Sequence, residues 1–340
     1  MRAAIYNPYL DTLGGGERYS LAVATSLAEL GYQVDVEWKN QKIKEKLESR
    51  FGIDLSGVRF VKDIKKGDGY DVCFWVSDGS IPLLRARKNF LHFQFPFQGV
   101  SGKTLLNRMK LFRIGKIICN SAFTKGFIDR EYGVSSVVIY PPVSVDKFRP
   151  KRKSNSILFV GRFSQLAQAK NQHILVRNFK KLYKLFPDWE LVLAGGVEIG
   201  AKEYVEKLEK EIQGYPIKIV KSPNFKELAT LYGQSKIFWS AAGFGVKEEK
   251  EPLKMEHFGI TLVEAMAAGA VPVAFLGGGH KEIVKNGSNG FLWEKEGELI
   301  KKTQRLIEDR SFYKTVAEEG LKSAQEYGDE RFKSAVEKIL

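Results

Sequence analysis

Short apolar runs that alternate with amphipathic segments extend along most of this chain and restrict its fold. The first round starts with a strand-like run at residues 3–7, passes a glycine-rich turn and a helical segment at 18–30, and reaches another apolar run at 33–38. A second round starts at residues 156–160 and continues to Trp293. Strands that alternate with helices form parallel sheets covered by helices. The sequence therefore predicts an α/β fold with two Rossmann-like domains.

A proline pair, Pro141-Pro142, separates the two rounds and is typical of a linker. A chain of 340 residues is long enough for two domains that each have a hydrophobic core. We predict domains at residues 1–145 and 154–318, followed by a helix at 319–340. Ligands of such sheets bind at the carboxyl ends of the strands, and we therefore expect a cleft between two facing domains.

Residues 256–275, EHFGITLVEAMAAGAVPVAF, combine two carboxylates with a short apolar helix pattern. Gly259 removes the side chain where the helix would begin, and the amide groups after it, starting with Ile260, suit a phosphate. Glu256 would precede this helix, whereas Glu264 would lie about one turn into it. Carboxylates accept hydrogen bonds from the hydroxyl groups of a sugar or ribose. The alternative is an ordinary amphipathic helix whose two glutamates face water.

This stretch resembles the signature of the family-4 retaining glycosyltransferases, which have the GT-B fold of two facing Rossmann-like domains with a cleft between them. The signature reads E-x-FG-x-x-x-x-E-A-M-A-x-G-x-P-V, and it is matched by Glu256, Phe258, Gly259, Glu264, Ala265, Met266, Ala267, Gly269, Pro272 and Val273. The resemblance implies a nucleotide-sugar donor whose ribose is held by Glu264 and whose hexose lies near Glu256. It also implies that the backbone of Gly259 and Ile260 meets the phosphate, and that helix 319–340 returns to the first domain.

Two cations follow the first strand of the second round. Arg162 ends the run 156–162, and Lys170 comes eight residues later. A guanidinium and an ammonium group in this position can clamp a diphosphate, although two solvated surface cations are the alternative. The resemblance implies that both bind the donor pyrophosphate, but this chain has Lys170-Asn171 where the family commonly has Lys-Gly. Such cations and the helix start would replace a divalent metal, so we expect no metal site and no cofactor.

The first domain carries two weaker signals. Gly14, Gly15 and Gly16 allow a close approach of the backbone to a ligand, but any tight turn between a strand and a helix favours glycine. They do not form G-x-G-x-x-G, which disfavours a nicotinamide dehydrogenase. The resemblance implies that Gly15 and Gly16 approach the donor or the acceptor. It also implies that His92, predicted at the end of a strand, contacts the donor hexose, although a lone histidine is more often structural.

The net charge of +14 permits an anionic partner. Residues 83–125 contain nine Lys or Arg, no Asp or Glu, and six Phe. Within them, 101–113 can form a helix that suits the surface of an anionic membrane, the alternative being a docked helix with solvated lysines. No nucleic-acid-binding motif is present. The two cysteines stand in strand-like runs, which favours free buried thiols and a cytoplasmic protein, peripheral to the membrane if the helix binds lipid.

The glycine-rich turn GGGER and the segment EHFGI further resemble the lipid-linked α-1,2-mannosyltransferases of oligosaccharide assembly. That resemblance favours GDP-mannose over a UDP-sugar as the donor, and a glycan or lipid-phosphate as the acceptor. The predicted activity is metal-independent transfer of a hexose with retention of its anomeric configuration. Two alternatives remain at this point: a nucleotide-sugar epimerase on the same fold, and a basic binding protein without catalytic activity.

Overall fold

The computed structural model describes residues 1–12, 14–164 and 168–340, which form two compact units. The first unit comprises Met1–Pro142 together with Asp329–Leu340, and the second comprises Val143–Gly328. The chain therefore returns to the first unit at Asp329 rather than at Glu319. The single helix expected at 319–340 is wrong, because a 3-10 turn at Gln325–Tyr327 and the extended Gly328 interrupt it.

The strands of the described residues coincide with the apolar runs of the sequence. In chain order they are β1 (Arg2–Tyr6), β2 (Gln33–Glu37), β3 (Val58–Val61), β4 (Val72–Val76), β5 (Lys88–Phe93), β6 (Lys116–Cys119), β7 (Val137–Val138), β8 (Ser154–Val160), β9 (Glu190–Gly195), β10 (Ile217–Lys221), β11 (Ser235–Ser240), β12 (Val271–Phe275) and β13 (Phe291–Trp293).

The α-helices of the described residues lie between these strands or follow them. They are α1 (Gly15–Glu29), α2 (Ile43–Phe51), α3 (Leu105–Leu111), α4 (Ala122–Tyr132), α5 (Gln172–Tyr183), α6 (Lys202–Glu211), α7 (Phe225–Gln234), α8 (Ile260–Ala267), α9 (His280–Ile283), α10 (Glu296–Glu308), α11 (Arg310–Ala324) and α12 (Asp329–Glu337). None of the helices in the described residues combines the length and the hydropathy that crossing a bilayer requires.

Each unit is built on one parallel sheet, and the first six strands of the first sheet have the same order as the six strands of the second. The strand order is β3-β2-β1-β4-β5-β6-β7 in the first unit and β10-β9-β8-β11-β12-β13 in the second. Both orders are that of the doubly wound Rossmann sheet, whose strand sequence reverses at its centre. The α/β fold with two Rossmann-like units is therefore confirmed.

Burial explains why the strands are apolar along their whole length. Parallel strands are covered by helices on both faces, so both sets of alternating side chains are buried. In the second unit, Ile157 and Phe159 of β8 lie on one face with Leu175 and Phe179 of α5 in the same apolar cluster. In the first unit, Phe332 of α12 joins the cluster formed by α1 and the sheet. The last helix thus completes the core of the unit in which the chain begins.

Candidate functional site

The strand order of the second unit reverses between β8 and β11, and this point lies where ligands of doubly wound sheets bind. β8 leads directly into Gly161-Arg162, and β11 leads into the loop that carries Glu256. Connections on either side of a reversal run to opposite faces of the sheet and leave a crevice at its carboxyl edge. Sequence-predicted residues from two distant segments therefore come to the same edge of this sheet.

Lys170 and Glu256 form an ion pair at this edge. Nζ of Lys170 donates to Oε2 of Glu256 at 2.7 Å, and the side chains are only 14% and 17% exposed. The Lys170 side chain also lies over Gly161, where an added Cβ would stand 3.3 Å from Cγ of Lys170. Burial alone would raise the pKa of Glu256, but Lys170 and two nearby histidines, His280 and His257, outweigh it and hold the pKa at about 2. Glu256 is therefore a carboxylate at neutral pH and does not act as a proton donor there.

The glycine segment 277–279 supports the backbone of Glu256. The amide of Gly279 donates to the carbonyl oxygen of Glu256 at 2.8 Å. A Cβ on Gly278 would lie 2.1 Å from that same oxygen, and a Cβ on Gly279 would lie 2.4 Å from Cα of Phe258. Such distances are shorter than any van der Waals contact, so these positions accept only glycine. The segment thus holds the backbone of Glu256 in place.

His280 follows this segment and is completely buried. Its Nδ1 lies 2.9 Å from the carbonyl oxygen of Phe275, and its Nε2 lies 3.3 Å from Oγ of Ser240. A carbonyl only accepts, so the proton belongs on Nδ1, and Nε2 accepts from the serine hydroxyl. Burial lowers the pKa of His280, although the carboxylate of Glu256 opposes that effect. This histidine was not singled out from the sequence.

Arg162 is positioned differently from Lys170. Its guanidinium is 59% exposed and lies 3.3 Å from Oε1 of Glu198, which follows β9. Its carbonyl oxygen accepts from the side chain of Gln172 at 2.9 Å, and an added Cβ on Gly195 would lie 2.0 Å from the carbonyl oxygen of Gly161. The backbone of Gly161-Arg162 is therefore held in place, while the guanidinium head remains accessible to a ligand. Glu198 was not singled out from the sequence.

Asn171 explains how this chain departs from the Lys-Gly pair of the family that it resembles. Its backbone has φ 54° and ψ 40°, in the left-handed region where glycine is favoured and asparagine is tolerated better than most residues. Its carboxamide donates to the carbonyl oxygens of Ala241 and Phe244 at 3.0 and 3.2 Å. Asparagine thus adopts the backbone conformation of glycine and adds two hydrogen bonds. The preceding residues 165–167 lie outside the described part of the chain.

The predicted phosphate-binding helix start is the beginning of α8. Gly259 precedes it with φ 114°, a conformation that requires glycine, and Ile260 is the first helical residue. Glu264 lies one turn further and is only 8% exposed. Its Oε2 accepts from the hydroxyl of the fully buried Tyr232 at 2.8 Å. The alternative of two glutamates that face water is therefore wrong, because both side chains are largely buried and hydrogen bonded.

In the first unit, Gly15 and Gly16 belong to the first turn of α1 rather than to the preceding loop as predicted. Gly14 is the N-cap, and its amide donates to the carboxylate of Glu17 at 2.5 Å. A Cβ on Gly16 would lie 1.7 Å from Oε1 of Gln94, whose side chain donates to the carbonyl oxygen of Gly16 at 3.1 Å. The packing of Gln94 is thus one reason for glycine at position 16. Leu13, in the same predicted turn, lies outside the described residues.

His92 does not end its strand, as the sequence predicted, because β5 continues to Phe93. Its side chain is completely buried and stacks on Tyr19 with ring centroids 4.1 Å apart. Nδ1 lies 3.2 Å from the carbonyl oxygen of Ile118, and burial lowers the pKa of His92 to about 3. A neutral histidine in an aromatic core has a structural position. The expectation of a strand-end histidine is therefore corrected.

Comparisons with known proteins identify the family of this chain and several similar proteins. The family described as "Glycosyl transferases group 1" matches residues 144–323. An uncharacterized glycosyltransferase of Haemophilus influenzae is 25% identical over 358 aligned positions, which cover 95% of each chain. A GDP-Man:Man(3)GlcNAc(2)-PP-Dol alpha-1,2-mannosyltransferase of Dictyostelium discoideum is 27% identical over 231 positions. That alignment covers 62% of this chain and 43% of the relative.

Among solved structures, Anabaena HepE in complex with UDP superposes with a TM-score of 0.80. The superposition covers 99% of both chains at 17% sequence identity. At this identity the match shows that the fold is shared. It extends over both units, beyond the segment that the family matches.

Proposed function

The chain belongs to the group 1 glycosyl transferases and is a glycosyltransferase, and we propose that it transfers a hexose from a nucleotide diphosphate sugar with retention of configuration at the anomeric carbon. Family membership favours transfer over the two alternatives left open by the sequence, the epimerase and the non-catalytic basic protein. The roles of individual residues are part of the proposal.

The observation that carries the proposal is the grouping of charges at the carboxyl edge of the second sheet. Arg162 follows β8 with an accessible guanidinium, and Lys170 lies over Gly161 in contact with Glu256. The start of α8 follows Glu256 by four residues and adds the positive end of a helix dipole. Cations and backbone amides that contact a diphosphate make it a good leaving group, because they stabilise the negative charge that develops on it.

In the proposed reaction, the bond between the anomeric carbon and the phosphate oxygen breaks while a new bond to the acceptor oxygen forms on the same face of the sugar. The acceptor proton passes to the departing phosphate oxygen. Arg162, Lys170 and the amides of Gly259 and Ile260 stabilise the diphosphate. Glu256 orients Lys170 and accepts hydrogen bonds from the hexose, since its low pKa keeps it ionised. The donor ribose is assigned to Glu264, and no metal or cofactor is assigned a role.

GDP-mannose is the favoured donor, because the similar Dictyostelium protein is named for transfer from GDP-mannose. A UDP-sugar is the second choice, because the solved HepE structure holds UDP. We further propose a glycan or a lipid-linked acceptor. A lipid-linked acceptor would bring the enzyme to the surface of a membrane, and we propose the cytoplasmic face.

Ligand-induced thermal stabilisation tests the donor assignment. We expect GDP-mannose and GDP, in the presence of a chelator, to raise the melting temperature more than UDP-glucose, UDP-N-acetylglucosamine or UDP, since a ligand stabilises the state that it binds.

Transfer is then measured as release of the nucleoside diphosphate. Lys170→Met should lower this rate at least about 100-fold. Lys184→Met, which removes an exposed lysine at the end of α5, is the matched control and should leave the rate unchanged. Equal rates in both variants, or stabilisation by none of the nucleotides, would refute the proposal.

A further inference from the structure

Helix α3 exposes almost all of its large apolar side chains. Leu105 is 76% exposed, Leu106 62%, Met109 65% and Phe112, at the C-cap, 95%, and none of the helix residues is buried. Single exposed apolar side chains are normal on a protein surface, but a contiguous group of this kind marks an interaction site. The helix was predicted at 101–113 and begins later, at Leu105, because Thr104 caps it by accepting from the amide of Asn107.

The apolar side chains form one stripe that is flanked by cations. At 100° per residue, Leu105, Leu106, Met109 and Phe112 fall within an arc of about 120°. Arg108 and Lys110 fall about 40° beyond the two borders of this arc, one on each side. Arg113 follows the C-cap and is exposed. A narrow apolar stripe between basic side chains is typical of a helix that lies in the plane of a lipid surface.

The opposite side of the segment fixes it to the first unit. Leu111 and Ile114 are partly buried against the apolar cluster around Phe93 and Tyr132. The carboxylate of Glu131, on α4, accepts from the amides of Gly99, Val100 and Gly102 at 2.9, 3.0 and 3.1 Å. Gly102 has no room for a side chain, since an added Cβ would lie 2.7 Å from the carbonyl oxygen of Glu131. The stripe is therefore presented on a fixed base rather than on a free loop.

We propose that α3 is an interfacial helix that docks the enzyme on an anionic lipid bilayer. Leu105, Leu106, Met109 and Phe112 enter the boundary between headgroups and acyl chains, and Arg108, Lys110 and Arg113 contact the headgroup phosphates. The charge of the surroundings fits this partner, because residues 83–125 contain nine Lys or Arg and no Asp or Glu. The inference rests on the proposed function in one respect: docking on the bilayer would bring the proposed donor site to a lipid-linked acceptor.

A second copy of the chain fits this surface less well. In a twofold dimer the same patch meets itself, so the cations that flank the stripe would face their own counterparts. A seven-residue helix is also only about 10 Å long, whereas a stable interface buries roughly 800 Å² on each partner. An anionic bilayer has neither difficulty. Its charge is opposite, and it covers the apolar stripe without needing a larger matching surface.

Flotation with vesicles tests the proposal on the full-length protein. We expect it to float with vesicles of phosphatidylcholine and phosphatidylglycerol, to float much less with phosphatidylcholine alone, and to be released partly by salt. The double variant Met109→Ser/Phe112→Ser and the triple variant Arg108→Gln/Lys110→Gln/Arg113→Gln should each weaken binding at least about tenfold. The matched controls are Leu185→Ser and the triple variant Lys202→Gln/Lys207→Gln/Lys210→Gln, which remove exposed groups of the second unit and should bind as the wild type does.

The outcomes are distinct from those of the donor experiment. Thermal stabilisation by GDP-mannose should be the same in the α3 variants as in the wild type, because the substituted residues lie outside the proposed donor site. If no nucleotide raised the melting temperature of the wild-type protein while it still bound vesicles, the proposed function would be refuted and the lipid proposal would remain supported. Wild-type protein that ignores vesicles would overturn the lipid proposal. The lipid proposal would also fail if the controls lost binding equally, or if sedimentation showed a dimer that the α3 substitutions dissociate.

Discussion

Tyr232 is the residue that holds Glu264, and it was not singled out from the sequence. Its ring is fully buried against Phe148 and Phe238, and its hydroxyl donates to one carboxylate oxygen of Glu264. Burial, followed by the carboxylate, raises the pKa of this tyrosine well above its ordinary value, so the hydroxyl keeps its proton and remains a donor. We therefore assign Tyr232 as a positioning residue of the proposed ribose site.

Tyr232→Phe should raise the KM for the donor about tenfold and change kcat less than about twofold. The lost hydrogen bond to a charged group is worth about 1.5 kcal/mol, and it orients a group that binds the donor without touching the reacting atoms. Steady-state kinetics with saturating acceptor separate the two parameters. Tyr313→Phe is the control, since its hydroxyl donates at 3.3 Å to the carbonyl oxygen of Gly269, away from Glu264. A KM that rises equally in both variants would indicate a general loss of packing instead.

Residue types near the site could be predicted from the sequence, whereas their partners could not. Glu256 and Lys170 were both predicted, but their contact joins residues 86 positions apart, which no local pattern reveals. For His92, the residue was predicted but its surroundings were not. The structure continues β5 by one residue beyond it, so His92 lies within the strand, and its ring stacks on Tyr19 of α1. Tyr232, Glu198 and His280 were missed because their roles depend on what lies beside them in space.

At the scale of elements, the turn at 277–279 makes a specific demand on its sequence. Gly278 has φ 55°, and the backbone of Glu256 occupies the space that a Cβ at this position would need. Gly278→Ala should therefore displace the Glu256 loop and lower kcat/KM at least about 100-fold, since a shift of about 1 Å at a catalytic group costs that much. Kinetics and thermal denaturation measure the two consequences. The control is Gly287→Ala, which has φ 82° but open space around it, and it should lose only about 1 kcal/mol of stability with normal activity. Full activity in Gly278→Ala would show that the turn does not position Glu256.

Elements with strong apolar periodicity were predictable, and polar or interrupted ones were not. The sequence predicted a helical segment at 18–30 and a strand-like run at 33–38, and the structure has most of α1 and all of β2 there. Helix α2 escaped notice because only Ile43 and Leu47 of its nine residues are buried. The helix predicted at 319–340 was too long because helical segments lie on both sides of Gly328, and the structure separates them by a 3-10 turn and an extended residue.

At the scale of the molecule, the last twelve residues complete a core that begins at the first strand. Phe332 is 4% exposed and meets Tyr19 edge to face with ring centroids 5.1 Å apart. Val336 lines a small apolar cavity together with Tyr19 and Val23. Repeated alternation of strands and helices was enough to predict two units. That the chain ends in the first one followed only from resemblance to a family, because local patterns carry no information on contacts across about 300 residues.

Phe332→Ala should lower the free energy of unfolding of the first unit by about 3 kcal/mol, the cost of removing a buried aromatic ring. Its described contacts lie within that unit, so the loss should be local. Hydrogen exchange followed by mass spectrometry resolves this, because peptides from residues 1–142 should exchange faster while those from 143–328 keep their protection. Phe112→Ala, which truncates an equally large but 95% exposed ring of the same unit, should stay within about 0.5 kcal/mol of the wild type. If Phe332→Ala speeds exchange equally in both sets of peptides, the two units unfold together, and α12 stabilises the whole chain rather than the unit whose core it closes.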